Sequence, residues 1–309
     1  MNIIFMGTPE FAIPSLTLLL ASDNTLAGVV TQPDRPKGRG KKLTSPPVKT
    51  VAQQHGLPLV QPDTVKEEPF THWLKMQHPD LIVVVAFGQI LPPRILRIPA
   101  HGCINLHASL LPRYRGAAPI NWPIINGDET TGVTTMFMNE WMDTGDIILQ
   151  RETNIEPADD ALTLSHRLST LGAKLLLETI NLLKKGTLTS RPQDHAKSSY
   201  APPLKKEDGS INWTGNARDI HNQIRGTHPW PGSFTRFDHK LLKILKAEIA
   251  DAPLQLPPGT IAEVSPAGIT VATGNGYLLC TEVQMENRRK MTAAEFVKGN
   301  ALPVGTPLG

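Results

Sequence analysis

Cysteine is almost missing from this chain of 309 residues, with only Cys103 and Cys280 present. Two thiols exclude a disulfide framework, and alone they cannot build a structural zinc knuckle. Aromatic residues are scarce at 5%. No stretch approaches the roughly 18 apolar residues of a membrane-spanning helix. Residues 1–7 have neither the basic start nor the small-residue cleavage site of a secretion signal. A soluble, cytoplasmic protein is therefore expected. Charge of one sign is lacking too: the net value is +3, which excludes a histone-like polycation but not a local basic surface.

Several catalytic signatures are absent as well. The first apolar run is followed by Gly7-Thr8-Pro9-Glu10-Phe11 instead of G-x-G-x-x-G, so the dinucleotide fingerprint is missing. There is no P-loop, no H-E-x-x-H, no C-x-x-C and no G-x-S-x-G. Kinase, P-loop NTPase, zincin and α/β-hydrolase readings lose their main support.

What is present alternates strand-like and helix-like stretches. Residues 2–6 read as a strand, with Thr8 as helix cap, Pro9 at the first helical position and helix to residue 20. Strand follows at 26–31, and short helices at 48–55 and 64–76. Residues 81–86 are continuously apolar and mostly β-branched, as in a strand buried on both faces of a parallel sheet. Further strands are expected at 102–107, 132–138 and 147–151, then a helix over 159–185 with Leu164, Leu168, Leu171, Leu175 and Leu182 near one stripe. The pattern is α/β, a Rossmann-like open and mostly parallel sheet over residues 1–186. Residues 187–204 lose periodicity, carry Arg191-Pro192 and Pro202-Pro203, and read as a linker. Residues 205–309 carry a helix at 216–225. Short strands follow at 233–237, 241–249, 259–264, 268–273 and 277–283, the spacing of a small OB-like β-barrel.

One segment is dense in chemistry. In a strand, Asn105 and His107 lie two residues apart and share a face, at the carboxyl end where open α/β sheets bind ligands. A second polar cluster, Asp143-Thr144-Gly145-Asp146, could bring a carboxylate to orient the imidazole. Spacing alone leaves open a structural histidine with turn-forming Asn and Asp, and it names no reaction.

The run Asn105-x-His107-x-Ser109-Leu110-Leu111-Pro112-x-Tyr114-x-Gly116, followed by Met142-Asp143-Thr144-Gly145-Asp146, resembles the 10-formyltetrahydrofolate-dependent formyltransferases. Within them the chain is similar to the bacterial methionyl-tRNA branch. The supporting stretches are Gly7 to Phe11, Thr31 to Leu43, Val85 to Pro92, Asp208 to Trp213 and His228 to Gly232. One departure stands out: Asn139-Glu140-Trp141 replaces the Asp-x-Gly that usually precedes the family's catalytic aspartate.

The resemblance implies a formyltransferase domain followed by a tRNA-binding barrel, and formyl transfer from 10-formyltetrahydrofolate to the amine of initiator methionyl-tRNA. Asn105, His107 and Asp143 would be catalytic, with no metal. Phe87, Gly88, Gln89, Ile90, Leu91, Ser109, Leu110, Leu111 and Pro112 would line the folate cleft. The Pro- and Gly-rich stretch 34–49 sets Arg35, Lys37, Arg39, Lys41, Lys42 and Lys49 against Asp34 alone, and reads as an exposed loop. Arg35, Lys37, Arg39, Lys41 and Lys42 would contact tRNA, with Arg39 foremost because flanking glycines let the backbone approach RNA. A second basic stretch, 184–206, sets six cations against Asp194 and would add RNA contacts. A monomer suffices. The alternatives are a formyltransferase for another amine, such as a sugar nucleotide or glycinamide ribonucleotide, a 10-formyltetrahydrofolate hydrolase, and a silent RNA-binding module.

Overall fold

The computed structural model describes residues 1–37, 40, 42–251, 256–300 and 302–309, with backbone only at Lys37 and Lys42. The chain forms two compact units. Residues 1–119, 130–154 and 165–201 make the first, and residues 120–129, 155–164 and 202–309 the second.

The elements run β1 (Asn2–Gly7), α1 (Ile13–Leu20), β2 (Thr25–Val30), β3 (Arg35–Lys37), β4 (Lys42–Thr44), α2 (Pro47–Gln54), β5 (Leu59–Val60) and α3 (Glu68–Met76). Then come β6 (Leu81–Val85), α4 (Pro93–Leu96), β7 (Cys103–His107), β8 (Arg115–Gly116) and α5 (Asn121–Ile125). β9 (Thr130–Phe137), β10 (Ile147–Asn154), α6 (Ala161–Lys184) and β11 (Tyr200–Ala201) follow.

The first unit holds a seven-stranded sheet of order β10-β9-β7-β6-β1-β2-β5. β7, β6, β1, β2 and β5 pair in parallel, while β9 and β10 are antiparallel. All five residues of β6 are buried, which accounts for its unbroken apolar run. Thr8 does not cap a helix: residues 10–12 form a 3-10 turn, and the Thr8 hydroxyl donates to the Phe87 carbonyl at 2.8 Å. It thereby ties the loops that leave β1 and β6. α3 starts at Glu68, four residues later than expected, with Pro69 in its first turn, where a missing N–H is tolerated.

α6 covers the sheet through Leu168, Leu175, Leu176 and Ile180, all buried, whereas Leu171 and Leu182 are half-buried. A Cβ on Gly172 would come within 2.8 Å of the Leu106 Cδ2, so glycine lets the helix lie close against β7. Leu106 therefore faces α6, and the alternating residues Asn105 and His107 face the other side.

Residues 187–201, aperiodic in sequence, join the backbone network of the first unit. Arg191 and Ile147 exchange two backbone hydrogen bonds at 2.8 and 2.9 Å. β11 pairs in parallel with β8. Isolated bridges of this kind need no hydrophobic repeat, so composition shows only the missing periodicity.

The second unit contains α7 (Ala217–Thr227), β12 (Phe234–Phe237), β13 (Lys240–Ala250), β14 (Ile261–Ser265), β15 (Gly268–Ala272), β16 (Tyr277–Met285), β17 (Met291–Thr292) and α8 (Ala293–Gly299). Its strands are antiparallel, in the order β12-β13-β16-β15-β14 with β17 on β16, a barrel-like sheet. The Asn216 side chain caps α7 by accepting from the Asp219 N–H. Ile220 and Ile224 of α7 share a core with Leu242, Ile244, Val271 and Leu278.

Candidate active site

The site is built on one face of β7. Cys103, the first residue of that face, packs with Phe87, Leu91 and Ile95 in an apolar cluster. Asn105 and His107 continue the face towards the strand's end, 9% and 6% exposed. Among the described residues the Asn105 amide has no hydrogen-bond partner. His107 Nε2 lies 2.9 Å from the Tyr114 carbonyl oxygen. A carbonyl only accepts, so Nε2 carries a proton and donates it there. Nδ1 is left facing Asp143, whose Oδ2 stands 3.7 Å away.

Asp143 is held from several directions. Its Oδ2 accepts from the Gly116 N–H at 2.9 Å. Tyr114 and Gly116, two residues apart, thus position both members of the His107–Asp143 pair. Asp143 has φ +53°, left-handed backbone that costs a non-glycine residue about 1 kcal/mol or more. The Gln193 side-chain amide donates to the Asp143 and Gly145 carbonyls at 2.9 and 2.7 Å. A Cβ on Gly145 would stand 1.8 Å from the Phe137 carbonyl oxygen, so only glycine lets this loop close on β9.

The turn after β7 is equally fixed. The Ser109 hydroxyl donates to the Arg113 carbonyl at 2.7 Å, a structural use that leaves no activated nucleophile. Buried Thr134 donates to the Ser109 carbonyl at 2.6 Å and accepts from the Leu111 N–H at 3.1 Å. Gln150 donates to the Leu111 carbonyl at 2.9 Å.

The expected folate-lining residues divide by burial. Phe87 and Leu91 belong to the apolar cluster that Cys103 joins on the site face of β7, and Leu111 packs with Met136 and Ile147. Leu110 and Pro112 are half-buried. Gly88, at φ +89°, turns the chain beyond β6. Gln89 accepts from the Val65 N–H at 2.9 Å and braces a neighbouring loop. Ile90, by contrast, is 61% exposed, as are Trp141 at 75% and Met142 at 47%. The unusual Asn139 shapes that last loop: its Oδ1 accepts from the Trp141 N–H at 3.0 Å and the Thr144 hydroxyl at 2.9 Å.

In the basic stretch, Arg35 is exposed and donates to Gln32 Oε1 at 3.2 Å. Lys37 and Lys42 are paired in register across the β3–β4 hairpin. Arg39 and Lys41 lie outside the described residues. Lys49 is paired with Asp34, its ammonium 2.8 Å from the carboxylate. Hydrogen bonds from Gln61, then Lys49, hold the Asp34 carboxyl below the usual range. The second basic stretch is also partly spent: Lys184 pairs with Asp23 at 2.6 Å, Lys197 with Asp194 at 3.3 Å, and Arg191 donates to Gln150.

Sequence reasoning missed Thr134, Arg115 and Gln193. Arg115 lies within the recognised run, but nothing in its spacing shows that it is buried. Gln193 lies 50 residues from Asp143 in a stretch without periodicity, and no sequence signal joins them. Among the described residues no helix is long and apolar enough to cross a membrane, and no group of three His, Cys, Asp or Glu could hold a metal.

Residues 1–180 match the family described as formyl transferase, and residues 203–301 match the formyl transferase C-terminal domain. The methionyl-tRNA formyltransferase of Geobacter metallireducens is 51% identical over 309 residues, covering 100% of this chain and 99% of the relative. That of Clostridioides difficile is 47% identical, with 100% of both chains covered. Among solved structures, WlaRD, a sugar 3N-formyl transferase with dTDP and 5-N-formyl-THF, superposes with a TM-score of 0.68 at 21% identity, over 94% of this chain and 99% of that one. HypX from Aquifex aeolicus in complex with tetrahydrofolic acid gives 0.68 at 16% identity, over 96% of this chain and 47% of that one. The likeness to these two structures is one of fold, whereas identity near one half along the whole length shows that the chain belongs to the methionyl-tRNA formyltransferase family.

Proposed function

We propose that the chain transfers the formyl group of 10-formyltetrahydrofolate to the α-amine of methionine on initiator tRNA, with Asn105, His107 and Asp143 carrying the transfer. The observation that carries this reading is the placement of Asn105 beside a His107–Asp143 pair at the carboxyl end of β7. The names of full-length relatives supply the acceptor, and folate ligands in two fold neighbours support the donor.

The folate supplies a formyl carbon bonded to nitrogen, and the remaining chemistry falls to the chain. As an amine attacks that carbon, negative charge grows on the formyl oxygen. The Asn105 amide has N–H groups that no acceptor among the described residues occupies, so it can donate to that oxygen without breaking a bond within them. One such donor is worth about 3–4 kcal/mol of barrier. The amine must lose a proton and the departing nitrogen must gain one. Nδ1 of His107 and Oδ2 of Asp143 form the place where that proton is held between the two events.

The folate cleft lies between the loop of Phe87, Gly88, Gln89, Ile90 and Leu91, the turn of Ser109, Leu110, Leu111 and Pro112, and the Trp141–Met142 loop. Buried Phe87, Leu91 and Leu111 form its floor, and exposed Ile90 and Trp141 its apolar rim. Arg35, Lys37, Arg39, Lys41 and Lys42 bind acceptor-stem phosphates, and the C-terminal unit adds further RNA contacts.

The test mixes purified protein with 10-formyltetrahydrofolate and methionine-charged initiator tRNA, scoring formylmethionine and free formate separately. Formylmethionine matching the folate consumed is expected. Formate released without formylmethionine would overturn the reading in favour of a hydrolase.

A further inference from the structure

The stretch 191–201 straps the active site. Beyond the pairing of β8 with β11, the Tyr114 N–H donates to the Ser199 hydroxyl and the Arg115 N–H to the Ser199 carbonyl, both at 2.9 Å. The segment whose backbone positions His107 and Asp143 is therefore itself held by this strap.

At its centre two polar side chains are buried. Gln193 is 6% exposed and Arg115 5%. Arg115 donates to Gln193 Oε1 through Nε at 3.1 Å and through a terminal nitrogen at 2.6 Å. The same terminal nitrogen lies 3.1 Å from His195 Nδ1, which must accept. Among the described residues no carboxylate pairs with Arg115. A buried guanidinium without a counter-ion is costly, and an apolar residue of similar size would pack at lower cost. What it provides is direction. Arginine only donates, so the Gln193 oxygen must turn towards it and the amide nitrogen away. That nitrogen then meets two acceptors, the carbonyls of Asp143 and Gly145. A flipped amide would set oxygen against oxygen twice and N–H against N–H twice.

We propose that Gln193 is a positioning residue of the reaction: its amide, oriented by Arg115, clamps the left-handed Asp143 backbone and so keeps the carboxylate facing His107. The inference rests on the catalytic reading of His107 and Asp143 given above. Gln193 touches no substrate. Its effect passes through the placement of Asp143 Oδ2.

The test is a double-mutant cycle between Gln193→Glu and Asp143→Asn. Gln193→Glu keeps the size and the acceptor for Arg115 but replaces the donor with a second oxygen facing the two carbonyls. In the folded variant, kcat for formyl transfer should fall roughly 30- to 100-fold, because displacing a reacting group by about 1 Å costs that much. KM for methionyl-tRNA should change by less than about threefold. In the Asp143→Asn background the same substitution should cost less than about threefold, because its target is already gone. Losses that multiply in the double variant, or a folded Gln193→Glu with wild-type kcat, would overturn the proposal. Should the glutamate prevent folding, judged by circular dichroism, Gln193→Met removes the donor at similar volume and is read by the same criteria. Asp143→Asn with undiminished kcat would instead strike the catalytic reading beneath, so the two failures are distinguishable.

Discussion

A histidine whose Nε2–H is committed to a carbonyl has only Nδ1 left for proton transfer, and in this chain Nδ1 faces Asp143. Asn105 is the opposite case, a nearly buried amide with no hydrogen-bond partner among the described residues. The two carboxamide and carboxylate positions should therefore fail differently. Asn105→Ala is expected to lower kcat about 100- to 1000-fold while leaving the urea midpoint almost unchanged, since it breaks no bond within the fold. Asp143→Ala should lower both, because it strands the half-buried Gly116 N–H at a cost of about 1 kcal/mol. Paired kinetic and unfolding measurements decide this, and an Asn105→Ala stability loss as large as that of Asp143→Ala would remove the oxyanion role. Cys103 shares the face but does not compete as a nucleophile, because burial pushes its thiol up to about 12. The pair on β7 was legible in sequence because two-residue spacing in a strand forces a shared face. The partners Tyr114 and Gly116 were not, since they act through backbone atoms that any residue carries.

At the scale of elements, the legible parts were those whose burial repeats. β6 announced itself by an apolar run, and the helix expected at 216–225 is α7, whose Ile220 and Ile224 are buried. The strap at 191–201 is held by single bridges and by one buried amide, which leave no period to read. α7 also carries a titratable device. His221 is half-buried, and burial, followed by the nearby Arg225 cation, pulls its pKa below the ordinary 6.5, against a hydrogen bond with the Ala247 backbone. The unfolded chain, with its histidine near 6.5, then binds protons that the folded chain refuses. Stability is therefore full above that value and is lost as pH falls towards the lowered folded value. Urea unfolding of the wild type at pH 7.5 and 5.5 should show a drop that His221→Gln reduces. Equal drops in both proteins would mean that other groups set the acid limb.

For the whole molecule the informative quantity is where charge remains unpaired, because the +3 total averages over stretches of opposite character. The two basic stretches look alike in sequence but differ in the fold. Lys184 and Lys197 are paired with carboxylates, Arg191 serves the strap, and Lys49 cancels Asp34. The tRNA contacts proposed above therefore rest on Arg35, Lys37, Arg39, Lys41 and Lys42, of which Arg35 is exposed. Each phosphate neutralised by a cation releases condensed counterions and adds about 0.9 to the slope of log affinity against log salt on a duplex stem. Replacing these five residues by serine should raise KM for methionyl-tRNA and flatten the salt dependence of kcat/KM by about 0.9 for every phosphate left without its cation, with KM for the folate unchanged. Lys184→Ala with Lys197→Ala, which removes two cations paired with carboxylates within the chain, should leave that slope as it is. A slope that flattens equally in both variants would move the RNA-binding charge to the second stretch, whereas a serine variant that loses folate and tRNA together would show that the 34–49 stretch supports the fold of the cleft instead of the RNA.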